Sequence, residues 1–252
     1  MAEDHLKMSP DYSSYAKQYA QSRPGYPGEL FEYLSSLVYE HHLAWDCATG
    51  NGQAALTLVK YFEEVIATDI SNEQIKNAVK HKHIKYKACN AEDSGLENNS
   101  VDLVTVASAI HWFNLDNFFK EVRRVIKPRG IIAVWSYHIG YVEPPFDKLF
   151  LSLYEKVLSP YFGEGAKLVD DRYSKINLPG EKIDTGNFYV EVKWKMKNLL
   201  DFIESWSGTQ QYKKEKGQNP TDLIINELNS IWGEAENIHT VRWPLFIKIS
   251  RL

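Results

Sequence analysis

Short apolar runs alternate with helix-like patterns through the first part of the chain. Five such runs are predicted strands, at 43–48, 65–69, 84–88, 101–106 and 131–135. Between the first two strands, Ala55, Leu58, Val59 and Phe62 have the spacing of one helix face. Strand–helix alternation of this kind predicts right-handed crossovers and a doubly wound parallel sheet.

Local signals mark the ends of two further helices. Ser71 and Gln74 form a capping-box pattern, which predicts the start of a helix after the second strand. Another helix is predicted from about Leu115 to Ile126, and the sequence Lys-Pro-Arg-Gly at 127–130 breaks it. The run at 131–135 is continuously apolar, as expected of a central strand that is covered on both faces.

The pattern changes after Tyr137. Helices are predicted at 146–158, 199–206 and about 223–232, and strands at 188–196 and 243–249. Two late strands after five parallel ones predict an antiparallel hairpin at one edge of the sheet. The segments 141–185 and 207–240 are expected to cover the strand ends as a lid, with an exposed loop at 213–216.

Composition narrows the class of protein without identifying it. A length of 252 residues suits a single α/β domain, and the content of 44% hydrophobic and 25% charged residues is ordinary for a globular protein. The net charge of -4 argues against a broad nucleic-acid-binding surface. Two cysteines suit a reducing compartment, and the sequence shows neither a signal-peptide pattern nor a membrane-spanning apolar run. We therefore expect one domain over 1–252 in the cytoplasm, a monomer or weak dimer that binds neither nucleic acid nor membrane.

Polar and small residues follow three of the predicted strands at their carboxyl ends, where open α/β sheets bind ligands. The loop Asp46–Gly52 follows the first strand, Asp69 ends the second, and Asn90, Ala91 and Glu92 follow the third. Glycines allow the loop backbone to approach a ligand closely. The carboxylate that ends the second strand can accept both hydroxyls of a ribose, and the third segment is placed to meet an adenine edge.

The glycine loop alone fits two classes of cofactor. Gly50, Gly52 and Ala55 also match a dinucleotide fingerprint. Asp46 favours the other class, because a carboxylate near a helix N-terminus would repel a pyrophosphate. The same carboxylate would attract the ammonium and the sulfonium of S-adenosylmethionine. A nicotinamide-dependent oxidoreductase is therefore the weaker alternative.

The combination of motifs resembles class I S-adenosylmethionine-dependent methyltransferases over about residues 40–137. The sequence Asp-Cys-Ala-Thr-Gly-Asn-Gly at 46–52 is similar to their motif I, and Asp69 to the acid that ends their second strand. The segments 90–93 and 100–104 are similar to their next two blocks, and 127–130 to the turn before their fifth strand.

This resemblance implies S-adenosylmethionine as the cofactor, S-adenosylhomocysteine as its product, and no metal. It also implies a Rossmann-like, mostly parallel α/β sheet of seven strands in the order 3-2-1-4-5-7-6, with strand 7 antiparallel, helices on both faces and a helical lid. The implied cofactor-binding residues are Tyr19, Arg23, Asp46, Ala48, Thr49, Gly50, Gly52, Gln53, Asp69, Ile70, Gln74, Asn90, Ala91, Glu92, Ala107 and His111.

A narrower resemblance, to the trans-aconitate methyltransferase-like group (methyltransferase type 11), extends beyond this core. It rests on Tyr15 with the Arg-Pro-Gly-Tyr-Pro run at 23–27, on Ala-Ile-His-Trp-Phe at 109–113, and on Trp-Ser-Gly at 206–208. It implies an N-terminal cap, residues 1–30, in which Arg23 pairs with the methionine carboxylate of the cofactor. The alternative is that Arg23 is a surface residue beside a docking helix. It also implies a small-molecule acceptor, since members with an assigned substrate methylate small carboxylic acids.

Two positions depart from the family pattern. Ala48 and Arg129 stand where these methyltransferases commonly have glycine. We expect the methyl group of Ala48 to narrow the loop rather than to block it. Arg129 lies in a turn far from the cofactor, and we expect no loss of function from it.

His111 and Trp112 follow the fourth strand, where the acceptor should meet the methyl group. We expect both to position the acceptor, with Trp112 as a wall and His111 as the candidate base if one is needed. The alternative is a packed His–Trp corner. Trp206, Tyr137 and His138 are weaker pocket candidates, for which the sequence favours core packing.

Methyl transfer to a carboxylate needs no general base, because carboxyl groups with a pKa of ~4 are ionised at neutral pH. Holding the acceptor in line and excluding water then suffice. We therefore predict O-methylation of a small carboxylic acid by in-line methyl transfer. The alternatives are a non-catalytic methyltransferase-fold binding protein and a methyltransferase with a hydroxyl, amine or macromolecular acceptor.

Overall fold

A mixed β-sheet forms the centre of the molecule. The computed structural model describes residues 23–252. Their strands are β1 Leu43–Cys47, β2 Glu64–Asp69, β3 Ile84–Ala88, β4 Val101–Ala107, β5 Ile126–Tyr137, β6 Glu181–Ile183, β7 Tyr189–Trp194 and β8 His239–Arg251. Strands β1 to β5 are parallel, the order is β3-β2-β1-β4-β5-β8-β6, and β7 pairs with β8. The predicted Rossmann-like sheet with an antiparallel last strand is confirmed.

Helices connect the strands and make up much of the chain after β5. The α-helices are α1 Gly28–Leu37, α2 Gln53–Leu58, α3 Asn72–Asn77, α4 Leu115–Val125, α5 Pro144–Ser152, α6 Gly165–Asp170, α7 Met196–Glu204, α8 Ser207–Lys216 and α9 Ile225–Trp232. A π-helical turn at Leu153–Leu158 extends α5, so the helix predicted at 146–158 is confirmed with a change of type. The 3-10 turns lie at Ile110–Trp112, Ser159–Tyr161 and Pro220–Leu223.

Alternate side chains of the central strands enter two separate apolar cores, one on each face of the sheet. In β5, Ile131, Ala133 and Trp135 belong to one core, while Ile132 and Val134 belong to the other. The first core includes residues of α1 and α2, and the second includes residues of α4. The central strands are therefore anchored on both faces, which fixes the position of the loops at their carboxyl ends.

The last strand, β8, organises the antiparallel edge. One half lies beside β5, with Ile131 opposite Arg251 and Tyr137 opposite Leu245. Its other edge is divided, since β6 pairs with 249–251 and β7 with 239–244. The sequence pattern does not predict β6, because a strand of 3 residues offers too few alternating positions.

One expectation is wrong in detail. The segment 213–216 is the last turn of α8 rather than a loop, and its lysines suit the C-terminal end of a helix dipole.

The helix predicted to end at 127–130 does end just before this segment, at Val125. The segment itself belongs to β5 and contains an irregularity, because Val101 pairs with Ile126 and Leu103 with Ile131.

The two segments predicted as a lid contact each other through α5 and α9. The ring centroids of Phe146 and Trp232 lie 5.3 Å apart. Within residues 23–252, no helix is long and apolar enough to cross a membrane. The same part of the chain shows no group of three or more His, Cys, Asp or Glu side chains that could hold a metal ion.

Candidate functional site

The loop after β1 takes a left-handed backbone conformation at three positions. Ala48, Gly50 and Gly52 have φ angles of +54°, +58° and +90°. Glycine adopts this region at little cost, and a Cβ atom at Gly52 would also collide with the Tyr86 hydroxyl. The backbone therefore favours glycine at both positions, and at Gly52 the Tyr86 side chain also leaves no room for a Cβ atom. Ala48 takes a conformation that disfavours side chains, which is why glycine is common at this position.

The Asp69 carboxylate joins the end of β2 to this loop. One oxygen accepts a hydrogen bond from the Gly50 N–H at 2.9 Å, and the other accepts one from the Ser71 N–H at 2.8 Å. Burial raises the pKa of Asp69, and the two backbone hydrogen bonds oppose this shift. Each carboxylate oxygen has a further lone pair, so the group can hold the loop and still accept hydrogen bonds from a ligand.

Asp46 places a second carboxylate in the same region, with only 1% of its surface exposed. It accepts hydrogen bonds from the Thr49 hydroxyl at 2.5 Å and from the Thr105 hydroxyl at 2.8 Å. Burial raises the pKa of Asp46 to about 6, although both hydroxyl contacts oppose the shift. The group is therefore mostly ionised at neutral pH, and its buried charge favours a cationic ligand.

A cavity of about 460 Å³ contains both carboxylates in its walls. Its volume is typical of a small-molecule site. The predicted cofactor residues that line it are Arg23, Asp46, Ala48, Thr49, Gly50, Gln53, Asp69, Ile70, Gln74 and Ala107. Residues from three strand ends and from the N-terminal segment are thus brought together, as the motifs predict.

The remaining predicted residues lie elsewhere. Gly52 precedes α2, His111 lines a neighbouring cavity, and Tyr19 falls outside the described residues. The larger cavity is not lined by the segment predicted to meet an adenine edge, which is Asn90, Ala91 and Glu92. The Glu92 carboxylate instead accepts a hydrogen bond from the Asn114 N–H at 2.8 Å. A role for this segment toward a cofactor stays a prediction.

Other residues that line this cavity were not predicted as cofactor residues. They are Pro24, Tyr26, Asn51, Ala54, Ser71, Ser108, Ala109, Trp112, Phe113 and Tyr137. The Tyr26 and Ser108 hydroxyls are hydrogen-bonded at 3.2 Å, and the Tyr26 ring meets Trp135 edge-on at 5.4 Å. Tyr26 belongs to the Arg-Pro-Gly-Tyr-Pro run, so a sequence motif could have indicated it as a site residue. No sequence motif indicated Ser108.

A smaller cavity of about 120 Å³ shares part of its wall with the first. The shared residues are Arg23, Ser108, Trp112 and Tyr137. The other walls are His111, Ser136, His138, Ile139, Tyr154, Phe162, Gly163, Ala166, Val169, Phe202, Trp206 and Ser207. The predicted pair His111 and Trp112 lies here. Tyr137, His138 and Trp206 line the cavity as well, although the sequence favoured core packing for them.

His111 sits in a setting that keeps it uncharged at neutral pH. Its Nδ1 lies 2.7 Å from the Tyr173 hydroxyl, and its ring centroid lies 4.6 Å from that of Trp112. Burial lowers the pKa of His111 to about 3. An efficient general base has a pKa near the working pH, so His111 is suited to positioning rather than to proton transfer.

A second histidine belongs to a polar network on the same cavity. His138 Nε2 lies 2.8 Å from Asp170 Oδ1, and the Tyr154 hydroxyl donates to that oxygen at 2.6 Å. Burial raises the pKa of Tyr154. A carboxylate partner of this kind fixes the orientation of an imidazole. No local motif reveals the network, because its members lie far apart in the sequence.

Arg23 lies where the two cavities meet. Its Nη1 donates to the Tyr137 hydroxyl at 3.4 Å, and its Cζ lies 4.9 Å from the centre of the Phe202 ring. Among residues 23–252, Arg23 is the one lysine or arginine that lines either cavity. A fixed positive charge therefore stands between the two spaces.

Comparison with known proteins identifies the family. A family model described as a methyltransferase domain matches residues 45–134. A protein of Dictyostelium discoideum that bears the name of a methyltransferase is 32% identical, over 97% of this chain and 96% of its own length. The chain belongs to the class I S-adenosylmethionine-dependent methyltransferases.

Two further similarities agree with this. CRG1 of Saccharomyces cerevisiae, named as an S-adenosylmethionine-dependent methyltransferase, is 26% identical over 92% of this methyltransferase and 94% of its own length. A solved structure from Anaeromyxobacter dehalogenans, of a protein named a type II methyltransferase, superposes with a TM-score of 0.85. It is 33% identical and covers 91% of this chain and 97% of its own. The cofactor is therefore S-adenosylmethionine, and the nicotinamide alternative is without support.

The larger cavity suits this cofactor on structural grounds as well. The Gln74 side chain is buried, and its Oε1 has no hydrogen-bond partner among the residues that the structure describes. The wall thus offers an acceptor that a bound ligand can satisfy. Asp69 offers further lone pairs to hydroxyl groups, and Asp46 offers a negative charge to a cation. The negative charges of a pyrophosphate in this cavity would instead be repelled by both carboxylates.

Proposed function

We propose that this methyltransferase methylates the carboxylate of a small molecule, as the trans-aconitate methyltransferase-like group does. The observation that supports the proposal is the pair of adjoining cavities with Arg23 in their shared wall. One cavity has the volume and the charges that suit the cofactor, and the other has space for a second small molecule. A guanidinium between them suits bidentate recognition of a carboxylate.

The cofactor site is proposed from the polar groups of the larger cavity. When bound, S-adenosylmethionine supplies an electrophilic methyl group on its sulfonium. Asp46 would attract its positive charges, Asp69 would accept hydrogen bonds from the ribose, and Gln74 would present its buried oxygen. The family resemblance implies that Arg23 pairs with the methionine carboxylate. Because Arg23 lies in the wall shared by both cavities, we assign it to the acceptor carboxylate instead. Ile70, which is 58% exposed, would offer apolar surface to the adenine.

The acceptor site is proposed from the smaller cavity. A carboxylate acceptor is already ionised at neutral pH, so the chain need only hold it in line and exclude water. A His111 whose pKa burial lowers to about 3 agrees with a reaction that uses no base there. Tyr154 and Phe162 reach this cavity from the segment 141–185, and Ser207 reaches it from 207–240. We assign both segments the role of a lid.

A hydroxyl acceptor is the second candidate, and one observation favours it. His138 lines the smaller cavity. Its Nε2 lies at a hydrogen-bonding distance of 2.8 Å from Asp170 Oδ1. A histidine oriented by a carboxylate is a common general base. This arrangement could remove the proton of a hydroxyl or phenol acceptor, a step that a carboxylate acceptor does not need.

The two candidates are separated by the rate of methyl transfer from labelled cofactor, measured with wild type and His138→Asn. The range from pH 7 to pH 9 is chosen because Asp46, with a pKa of about 6, stays ionised there. For a carboxylate acceptor we expect a change of less than about threefold in the variant. A fall by about 100-fold or more in the variant would support the hydroxyl acceptor instead.

A further inference from the structure

The smaller cavity has an aromatic wall. Tyr154, Phe162, Phe202 and Trp206 form this wall, called here the aromatic panel. Ring centroids lie 5.1 Å apart for Tyr154 and Phe162, and 5.6 Å apart for Phe202 and Trp206. None of the four is among the described residues that line the larger cavity. Among the described residues, these four rings therefore belong to the smaller cavity alone.

Polar groups lie in the wall shared by both cavities, next to the aromatic panel, since the Arg23 Cζ lies 4.9 Å from the centre of the Phe202 ring. Arg23 and the hydroxyls of Ser108 and Tyr137 lie there, and the Ser136 hydroxyl donates to Ser108 at 3.1 Å. No aspartate or glutamate lines the smaller cavity in the described part of the chain. Arg23 supplies its one permanent positive charge there. The cavity thus matches a ligand with one anionic end and one apolar end.

We propose that the acceptor is a monocarboxylate with a ring-sized apolar body, and not a di- or tricarboxylate. The inference rests on the proposed carboxylate methylation. The carboxylate would lie at the shared wall and the body against the aromatic panel. The described residues that line the smaller cavity include no second lysine or arginine. A second or third carboxylate would therefore be buried against aromatic rings without a permanent cation from these residues, which is strongly unfavourable.

The volume of the cavity limits the apolar body to about one ring. It is about 120 Å³, which is less than the ~150 Å³ of an apolar protein cavity that holds a benzene molecule. The carboxylate would therefore lie in the wall shared with the larger cavity. Methylation of such an acid forms one O–CH₃ bond at the carboxylate and breaks one S–CH₃ bond of the cofactor. The electron pair of the broken bond stays on sulfur. The products are a neutral ester and S-adenosylhomocysteine.

Phe162 is the residue of the panel that we assign to selection of the acceptor. Its ring fills the space above Gly208, where a Cβ atom would lie 2.7 Å from Phe162 Cζ. The glycine of the Trp-Ser-Gly run is therefore needed to seat this ring. Leucine at position 162 would keep an apolar side chain but would remove the flat surface that meets the acceptor.

The test compares phenylacetate, acetate and trans-aconitate as acceptors with labelled S-adenosylmethionine. We expect kcat/KM for phenylacetate to exceed that for trans-aconitate at least tenfold. In Phe162→Leu, we expect kcat/KM for phenylacetate to fall at least fivefold through KM, with a change below twofold for acetate. The Kd for S-adenosylhomocysteine should stay the same, because Phe162 does not line the larger cavity. Phe119→Leu, on α4 and outside both cavities, is the matched control.

The outcomes separate the inference from the function on which it rests. Methylation of trans-aconitate in preference to phenylacetate would show that the inference is wrong while carboxylate methylation stands. An unchanged KM for phenylacetate in Phe162→Leu would remove Phe162 from acceptor selection. If S-adenosylhomocysteine binds and no acid accepts a methyl group, carboxylate methylation itself is wrong, and the inference is lost with it.

Discussion

The two adjoining cavities are constructed in different ways. The larger one is shaped by short loops at the ends of neighbouring strands, where the Asp69 carboxylate is held by the N–H groups of Gly50 and Ser71. The smaller one is shaped by side chains from separate segments, such as Tyr154 of the π-helical turn and Phe202 of α7. The backbone thus determines the first cavity, and side-chain volume determines the second.

This difference teaches which property of the enzyme each cavity controls. A site fixed by backbone hydrogen bonds suits one invariant ligand, and we propose the cofactor as the ligand of the larger cavity. A site lined by exchangeable rings suits a substrate that differs between relatives with the same fold. Substitutions in the larger cavity should therefore change the affinity for the cofactor, whichever acceptor is used. Substitutions of residues that line only the smaller cavity should change the preference among acceptors and leave the affinity for the cofactor unchanged.

The largest effect is expected from Asp69→Ala. The variant removes an acceptor of charge-assisted hydrogen bonds, each worth about 1.5–3 kcal/mol, so the loss of two of them corresponds to at least about a 100-fold loss of affinity. Calorimetric titration with S-adenosylhomocysteine measures it. Asp69→Asn keeps one acceptor oxygen and should lose less. If the affinity of Asp69→Ala for S-adenosylhomocysteine lies within threefold of wild type, the claim that the larger cavity controls cofactor binding is wrong.

A smaller loss is expected from Asp46→Asn, which removes a buried charge but keeps the shape of the side chain. We expect at least a tenfold loss of S-adenosylmethionine affinity, and a smaller loss for S-adenosylhomocysteine, because the latter has no sulfonium. Asp102→Asn is the matched control. Asp102 is also buried, but it accepts from the N–H groups of His42 and Leu43 outside both cavities. Equal losses in the two variants would contradict the assignment.

The same residue predicts a pH dependence of binding. Burial raises the pKa of Asp46 to about 6, so the charge that attracts the cofactor is present above this pH and is lost below it. Affinity for S-adenosylmethionine should therefore fall as the pH is lowered from 7.5 to 5. The fall should be absent in Asp46→Asn. Titrations at four pH values in one buffer series measure both, and a parallel fall in the variant would assign it to another group.

The smallest effect is expected from Ala48→Gly. A left-handed residue with a Cβ atom costs about 1–2 kcal/mol, and part of this is offset by the greater chain entropy of glycine. We expect the melting temperature to rise by about 2–4 °C, with less than a threefold change in S-adenosylhomocysteine affinity. Ala54→Gly, in α2 and on the same cavity, should lower the melting temperature instead. A lower melting temperature in both variants would contradict the account of the loop.

The larger cavity could be predicted from the sequence better than the smaller one, because the backbone determines the larger cavity and side-chain packing determines the smaller. The loop 46–52 and Asp69 could be predicted because adjacent residues and one strand end define them, and periodicity alone places the parallel strands. The aromatic panel could not, because Phe162 and Phe202 come from separate segments and each packs against Trp206 only through tertiary structure. The pairing of His138 with Asp170 is hidden for the same reason. Helix α8 was missed because its charged end lacks an apolar face.

The chemical nature of the product tests the proposed acceptor class most directly. The protein would be incubated with methyl-labelled S-adenosylmethionine and the panel of acids, and the labelled product would then be treated with mild base. Methyl esters hydrolyse under these conditions and release volatile methanol, whereas methyl ethers and methylamines do not. We predict label that becomes volatile after base treatment, in amounts that depend on the acid added. Label that stays in the non-volatile fraction would contradict methylation of a carboxylate.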